Sequence, residues 1–262
     1  MLISRLSALS HTHRMAVFRL LVRRYPDAVP AGEIAESLHL KPSTASAYLS
    51  ALTHVGLIQK TRQATSLLYR LDMDNARAVV TGLFKDCCNG RPDLCPPELT
   101  SPKIAQRSLS VLFICSGNST RSIFAEALLN ALPGTKFMAF SAGTQPYSNL
   151  NPQALEVLQQ EGIDTSALRA KHVSEFQAQD APRMDFVFTM CDRAANEDCP
   201  AFTGLPLTAH WGLPDPVEDP DPLAFKRTLV AIRERITAFS ALPHDQLDRL
   251  TLQTNADAIG QL

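Results

Sequence analysis

Between Arg91 and Arg107 the chain places four prolines: Pro92, Pro96, Pro97 and Pro102. Proline fixes φ and carries no amide proton, so this density denies both helix and sheet and predicts an extended, fairly stiff linker over residues 91–108. The hydrophobic pattern changes across that seam, from helical spacing before it to alternating strands and helices after it. A chain of 262 residues has room for a core on each side. We therefore expect two domains, residues 1–90 and 109–242, and a tail over 243–262. The tail has one short apolar rhythm (Leu247, Leu250, Leu252) before a polar end, and is expected to be loosely held.

Before the linker, Met15, Val17, Phe18, Leu20, Leu21 and Val22 predict a helix that ends near Tyr25-Pro26. Ile34, Ala35 and Leu38 share one face of a short helix beginning about Ala31. Lys41-Pro42 breaks the chain, and Ser43 is a suitable N-cap for a helix from Thr44 to Val55. Gly56 stops it. Two β-rich runs follow, Leu57–Lys60 and Leu67–Leu71, around a polar tip at 61–66, and then a helix over about Asn75 to Lys85. Helix, tight turn, helix and hairpin give a mainly-α winged helix-turn-helix.

After the linker, Val111-Leu112-Phe113-Ile114 is a continuous apolar run, as a central parallel strand requires. Further strands are expected at Lys136–Ser141, Asp185–Thr189 and Leu207–His210. Helices are expected from Arg121 to about Leu132, and at Pro152–Gln160, Val173–Gln179 and Leu223–Ala241. Four strands alternating with helices predict a doubly wound α/β domain with a parallel sheet.

Charge divides in the same way. Residues 1–100 carry 12 Lys/Arg against 8 Asp/Glu, a net of +4, whereas residues 101–262 carry 13 against 18, a net of −5. The first domain suits a polyanion and the second does not. No apolar run approaches the ~20 residues needed to span a bilayer. Arg5, His11, His13 and Arg14 interrupt the N-terminus, which lacks the apolar core of a secretion signal. We expect a cytoplasmic protein with no membrane partner, and hence reduced thiols.

Six cysteines then point to metal binding or redox chemistry, and they form two triplets: Cys87, Cys88 and Cys95 before the linker, Cys115, Cys191 and Cys199 after it. Three thiolates without an accompanying histidine suit a trigonal thiophilic ion such as arsenite or antimonite, whereas zinc usually takes a fourth ligand. Gly90 lets the chain return so that the first triplet can converge. The alternative is a reactive but incidental adjacent pair with a stray third thiol. His11 and His13 read as an exposed pair rather than a metal site.

In the second triplet Cys115 opens the run Cys115-Ser116-Gly117-Asn118-Ser119-Thr120-Arg121-Ser122, a Cys-x5-Arg-Ser pattern between a buried strand and a helix. Such a loop turns its amides around a tetrahedral oxyanion, and Arg121 can clamp two of its oxygens. The same dipoles and cation are expected to lower the Cys115 pKa and make it a nucleophile, with Ser122 hydrogen-bonding the sulfur. Asp215, on the stiff Trp211-Gly-Leu-Pro-Asp-Pro216 loop, is the candidate general acid, the alternative being an ordinary Asp-Pro turn. In the first domain, Ser43, Thr44, Ser46, Ala47 and Tyr48 on the recognition helix and Arg62 in the wing are the candidate DNA contacts; the alternative is a helix that merely packs.

Two resemblances sharpen these readings. The run from Ile34 to Ile58, with about residues 12–90 around it, resembles the ArsR family of metalloid-responsive repressors. That implies a homodimeric winged helix that leaves its operator DNA when arsenite or antimonite binds. Many members carry a cysteine pair on the helix before the turn, and this chain has none between Ala31 and Leu40. Residues 109–242 resemble the low-molecular-weight phosphatase fold and, more closely, the arsenate reductases built on it. Val217 and Glu218 follow the Asp-Pro where phosphatases usually have tyrosines, and Cys191 and Cys199 supply thiols a phosphatase does not need. The resemblance implies no tightly bound cofactor and a relay. Cys115 attacks arsenate with Asp215 as acid, Cys191 attacks Cys115, Cys199 attacks Cys191, and a thioredoxin-like protein reduces the last disulfide. Seven residues separate Cys191 from Cys199 where some thioredoxin-linked relatives have six, and Thr120 stands where some have a cysteine. The donor is therefore thioredoxin, glutaredoxin with a small thiol, or mycothiol. A phosphatase with a regulatory DNA-binding domain, and a sensor that binds oxyanions without turnover, are the alternatives.

Overall fold

The structure is a computed structural model and describes residues 1–87, 107–178, 180–197, 202 and 205–262. The chain divides into two units, Met1–Thr100 and Ser101–Leu262. Most of the proline-rich segment lies outside the described residues.

The first unit contains helices α1 (Leu2–Leu9), α2 (Thr12–Arg23), α3 (Ala31–Ser37), α4 (Pro42–His54) and α5 (Met73–Gly82). Its strands are β1 (Val29–Pro30), β2 (Ile58–Gln63) and β3 (Ser66–Leu71), joined as an antiparallel sheet in the order β1-β3-β2. Val17, Leu20 and Leu21 of α2 and Ala45, Leu49 and Leu52 of α4 are buried at three- and four-residue spacings, which is why these segments are helical and why they pack together. Four features differ from expectation. α1 was not foreseen; Arg5, buried among apolar neighbours, ties it to the Val55 carbonyl at the end of α4 (3.1 Å) and to the Asn75 side chain. Helix α4 begins two residues earlier, with Lys41 at the cap and Pro42 in the first turn, so Ser43 is not the cap; proline loses nothing there because that amide has no helical partner. The wing strands run to Gln63 and from Ser66, leaving a two-residue turn in which Ala64 takes a positive φ of 52°. The last helix starts at Met73, capped by Asp72, and after Gly82 widens into a π-helical turn, Leu83–Cys87.

The second unit is built on four parallel strands, β4 (Leu109–Cys115), β5 (Phe137–Gly143), β6 (Phe186–Thr189) and β7 (Leu207–His210), in the order β5-β4-β6-β7. Central β4 is buried along its whole length, consistent with its unbroken apolar sequence. Helices α6 (Arg121–Asn130), α7 (Pro152–Gln160), α8 (Asp192–Asn196), α9 (Ala224–Ser240) and α10 (Arg249–Ile259) complete the unit. Trp211, Phe113, Phe124, Phe186, Phe188 and Phe239 are fully buried, each worth about 2–3 kcal/mol of transfer free energy.

The expected helix at Val173–Gln179 is a single 3₁₀ turn, Val173–Phe176. The tail is not loose. Asp248 caps α10, Leu252, Ala256 and Ile259 form its buried stripe, and the Trp211 indole N–H donates to the Ala256 carbonyl at 2.9 Å. Of that stripe only Leu252 belongs to the apolar rhythm read in the sequence; Ala256 and Ile259 continue it at helical spacing through otherwise polar residues. Among the described residues, no helix is long and apolar enough to cross a membrane.

Candidate active site

The apolar core delivers Cys115 to the end of β4, and the chain then turns through residues 116–120 into α6. The carbonyls of this turn point outward: Cys115 O, Ser116 O, Gly117 O and Ser119 O accept from the amides of Thr144, Gln145, Tyr147 and Asn151 at 2.9–3.2 Å. Peptide C=O and N–H groups are antiparallel in a trans unit, so outward carbonyls leave the loop amides on the sulfur side. The Asn118 amide accordingly lies 3.1 Å from Cys115 Sγ, and Ser122 Oγ lies 2.9 Å from it. The Tyr147 ring packs directly over Gly117, where a Cβ would sit 2.5 Å from it and push the exposed ring aside. The result is a cavity of about 480 Å³ whose walls include Cys115, Ser116, Arg121, Tyr147, Cys191 and Asp215.

Arg121 donates to the Leu213 carbonyl at 2.8 Å and to Asp215 Oδ2 at 2.6 Å. It therefore fixes the 211–216 loop against the anion loop. Gly117, Ser119 and Thr120 also border the cavity. Asn118 does not face it. Asn118 is fully buried with φ 44°, and its amide donates to Ser122 Oγ (2.9 Å) and Ser141 Oγ (2.8 Å) while accepting from the Lys171 backbone (2.6 Å). Of residues 116–122, Asn118 and Ser122 are the two that do not line the cavity: the Asn118 side chain is a strut, and the fully buried Ser122 hydroxyl lies against Cys115 Sγ and the Asn118 amide. Asparagine suits that place because its short polar chain tolerates the left-handed region.

Behind the strut, Ser141 donates to Glu126 at 2.5 Å, and Lys171 Nζ pairs with Glu126 at 3.0 Å, all within the interior. Nothing local in the sequence pointed to this network, which joins residues 15 to 53 positions apart. Tyr147 was likewise missed; it is an exposed tyrosine whose only signal would have been its distance beyond the loop.

Burial pushes the Cys115 thiol up as the largest influence; the Ser122 hydroxyl pulls it down, the Cys191 sulfur pushes it up again, and Arg121 pulls least. The net direction is upward, against the expected lowering. The sulfur is almost sealed from solvent, and the Arg121 charge is shared with Asp215.

Cys191 caps α8 and is also buried, yet it reaches the same cavity, with Ser116 Oγ 3.5 Å from its sulfur. Cys115 and Cys191, 76 residues apart in sequence, thus meet at one site. Cys199 lies outside the described residues. In the first unit Cys87 is exposed at the end of the π-helical turn, while Cys88 and Cys95 lie outside the described residues. Among the described residues no three His, Cys, Asp or Glu side chains gather as a metal site.

The candidate DNA contacts lie on α4 and the wing. Ser43, Ser46 and Ala47 are exposed, Thr44 and Tyr48 are half-buried, and Arg62 is exposed near the hairpin tip with its Nε donating to the Ala64 carbonyl at 3.2 Å. Tyr48 stacks on His13 (5.6 Å, 6° between planes) and lies 4.9 Å from His11, so the two histidines are packed against the recognition helix.

Comparison with known proteins agrees with this architecture. Residues 110–251 match the low molecular weight phosphotyrosine protein phosphatase family, and residues 9–61 match a helix-turn-helix domain family. Arsenate reductase 1 of Staphylococcus haemolyticus is 34% identical over 131 residues, covering 50% of this chain and 93% of that protein. The arsenate reductase of Halalkalibacterium halodurans is 33% identical over 135 residues, covering 50% and 94%. Among solved structures, the arsenate reductase of Archaeoglobus fulgidus is 26% identical, covering 50% of this chain and 99% of that one, with a TM-score of 0.42. The chain belongs to the low molecular weight phosphotyrosine protein phosphatase family, with an arsenate reductase-like domain preceded by a helix-turn-helix domain of the ArsR type.

Proposed function

We propose that the chain reduces arsenate to arsenite in its second domain and represses transcription through its first until arsenite binds. The observation that carries the reading is the meeting of Cys115 and Cys191 in one cavity with Arg121 and Asp215. A phosphatase needs one nucleophile there; a reductase needs a second thiol to receive the electrons.

The Cys115 thiolate attacks arsenic while the loop amides and Arg121 hold the oxyanion, and one oxygen leaves as water after protonation by Asp215. Cys191, as thiolate, then attacks Cys115 Sγ. The S–S bond forms, the As–S bond breaks, and its electron pair stays on arsenic, which falls from As(V) to As(III) and departs as arsenite. An arsenite oxygen takes the proton that Cys191 gives up. Cys199 next attacks Cys191, freeing Cys115, and an external dithiol such as thioredoxin, or glutaredoxin with a small thiol, reduces the Cys191–Cys199 disulfide. No tightly bound cofactor enters this scheme. Arsenite released here is the ligand that Cys87, Cys88 and Cys95 would take with three sulfurs. Dimeric binding to a two-fold operator in the cytoplasm, through Ser43, Thr44, Ser46, Ala47, Tyr48 and Arg62, completes the reading.

The test is arsenate-dependent NADPH oxidation with thioredoxin and its reductase on wild type and on Cys115→Ser, Cys191→Ser and Cys199→Ser. The reading expects turnover in wild type and its loss in all three variants. Hydrolysis of p-nitrophenyl phosphate that survives Cys191→Ser, with no arsenate turnover by wild type under any thiol donor, would replace reductase with phosphatase. For the first domain, Cys87→Ser, Cys88→Ser and Cys95→Ser should each keep operator binding and lose release by arsenite; full release in all three would remove the inducer site.

A further inference from the structure

His210 ends β7 next to the candidate site, has 2% of its surface exposed, and has a partner on each ring nitrogen. Nδ1 lies 2.8 Å from Thr189 Oγ1, and Nε2 lies 3.0 Å from Asp192 Oδ1. An ionised carboxylate only accepts, so Nε2 carries the proton donated to Asp192; in the neutral ring Nδ1 then accepts from the Thr189 hydroxyl. Asp192 is the first residue of α8, and Cys191 is its cap. Gly212 gives the pair its room, because a Cβ there would collide with His210 Nε2 and stand 3.0 Å from Asp192 Oδ1. A five-residue helix has little stability of its own, so its first turn must be held by tertiary contacts.

We propose that His210 is a positioning residue for the second thiol: braced by Thr189, it clasps Asp192 and so fixes the start of α8, keeping Cys191 Sγ turned toward Ser116 and the Cys115 cavity. The inference rests on the reading of Cys191 as the thiol that attacks Cys115. It assigns a function to a buried histidine that takes no part in binding the oxyanion or in attacking it. It also explains the glycine after Trp211, since any side chain there would displace the clasp. Displacing a reacting atom by about 1 Å is enough to cost on the order of 100-fold in rate, so the contribution of His210 should be readable in one step of the reaction only.

The experiment is a single turnover of the full-length, pre-reduced protein with arsenate and no external donor, with every variant made in a Cys199→Ser background so that the Cys115–Cys191 disulfide is not passed on to Cys199. Cys115–Cys191 disulfide is followed by acid quench and mass spectrometry, beside the rate of Cys115 alkylation by iodoacetamide. His210→Leu should slow disulfide formation by about 10- to 100-fold and leave Cys115 alkylation at the parental rate. His210→Gln, whose amide can reach Asp192 from a similar place, should recover much of the rate. Thr189→Val, nearly the same shape and outside the cavity wall, should give a smaller loss of the same kind, and it carries the test if His210→Leu does not fold. Parental disulfide rates in both His210→Leu and Thr189→Val, or an equal slowing of alkylation and disulfide formation, would overturn the positioning role while leaving the relay intact. Absence of the disulfide in the Cys199→Ser parent would instead overturn the relay and the inference with it.

Discussion

His244 offers a test of the second domain's energetics that is independent of its chemistry. The ring is fully buried, with neither nitrogen hydrogen-bonded among the described residues, against Phe137 (5.0 Å), Phe239 (4.8 Å) and Phe186 (5.7 Å). Burial among those rings pushes its pKa down from 6.5 to about 4. The unfolded chain therefore binds this proton more readily than the folded one, and stability falls as pH drops from the unfolded value of 6.5 through about 4, then levels off. At about pH 5 the unfolded histidine is nearly all protonated and the folded one about a tenth, so linkage gives a loss of about 2 kcal/mol relative to about pH 7.5. Asp257, raised by burial to about 6, acts with the opposite sign. The wild-type pH slope alone is thus not diagnostic, and the difference from His244→Leu, in which Asp257 cancels, is. The chain's single tryptophan, Trp211, is fully buried and stacks on Phe188 at 4.0 Å in the same aromatic cluster. Its fluorescence in urea titrations reports this domain alone. The variant should equal or exceed wild type at about pH 7.5 and gain about 2 kcal/mol more over it at about pH 5. A pH-independent difference between the two would refute the assignment of a buried, unprotonated His244.

Three further outcomes follow from the site. Ser122→Ala removes the hydroxyl that most lowers the Cys115 pKa, so the pH midpoint of Cys115 alkylation should move higher still; an unchanged midpoint would show the 2.9 Å contact to be energetically idle. Lys171→Met leaves the Glu126 carboxylate buried without its cation and should cost about 3–5 kcal/mol by Trp211-monitored urea unfolding, with the Glu126→Gln/Lys171→Met double variant recovering part of it. Additive losses would show the two residues to be uncoupled. Gly143→Ala would set a Cβ 2.6 Å from the Ser116 carbonyl. Because backbone cannot swing aside like a side chain, the anion loop should shift, with p-nitrophenyl phosphate and arsenate turnover both falling by about 10-fold or more; wild-type rates would mean that the loop tolerates displacement.

The parts of this fold that could be read in the sequence are those that a local period encodes. The apolar run of β4 and the Cys-x5-Arg-Ser turn each declare themselves within ten residues, because burial on both faces and an anion loop each impose a short-range pattern; the hairpin after Gly56 shows as two β-rich runs, but its two-residue turn does not. The missed elements depend on partners far away. α1 is held by Arg5 reaching residues 50 and 70 positions along the chain. α10 is held by an indole 45 positions before it, and α8 by His210, 18 positions after Asp192. Asn118 shows the same limit within the site. Its backbone amide faces the sulfur, as an anion loop expects, but the role of its side chain has no local signal: a loop that presents amides to the sulfur must send its carbonyls outward, and they are taken by the amides of 144–151. The loop can keep that curvature only if something inside also holds its apex. Asn118 does so by spanning Ser122, Ser141 and the Lys171 backbone, three points brought together by β5, α6 and the turn after α7. The anion loop is therefore a property of the whole second domain rather than of its eight-residue motif. The same motif outside this sheet would retain the thiol and the arginine but not the inward array of amides.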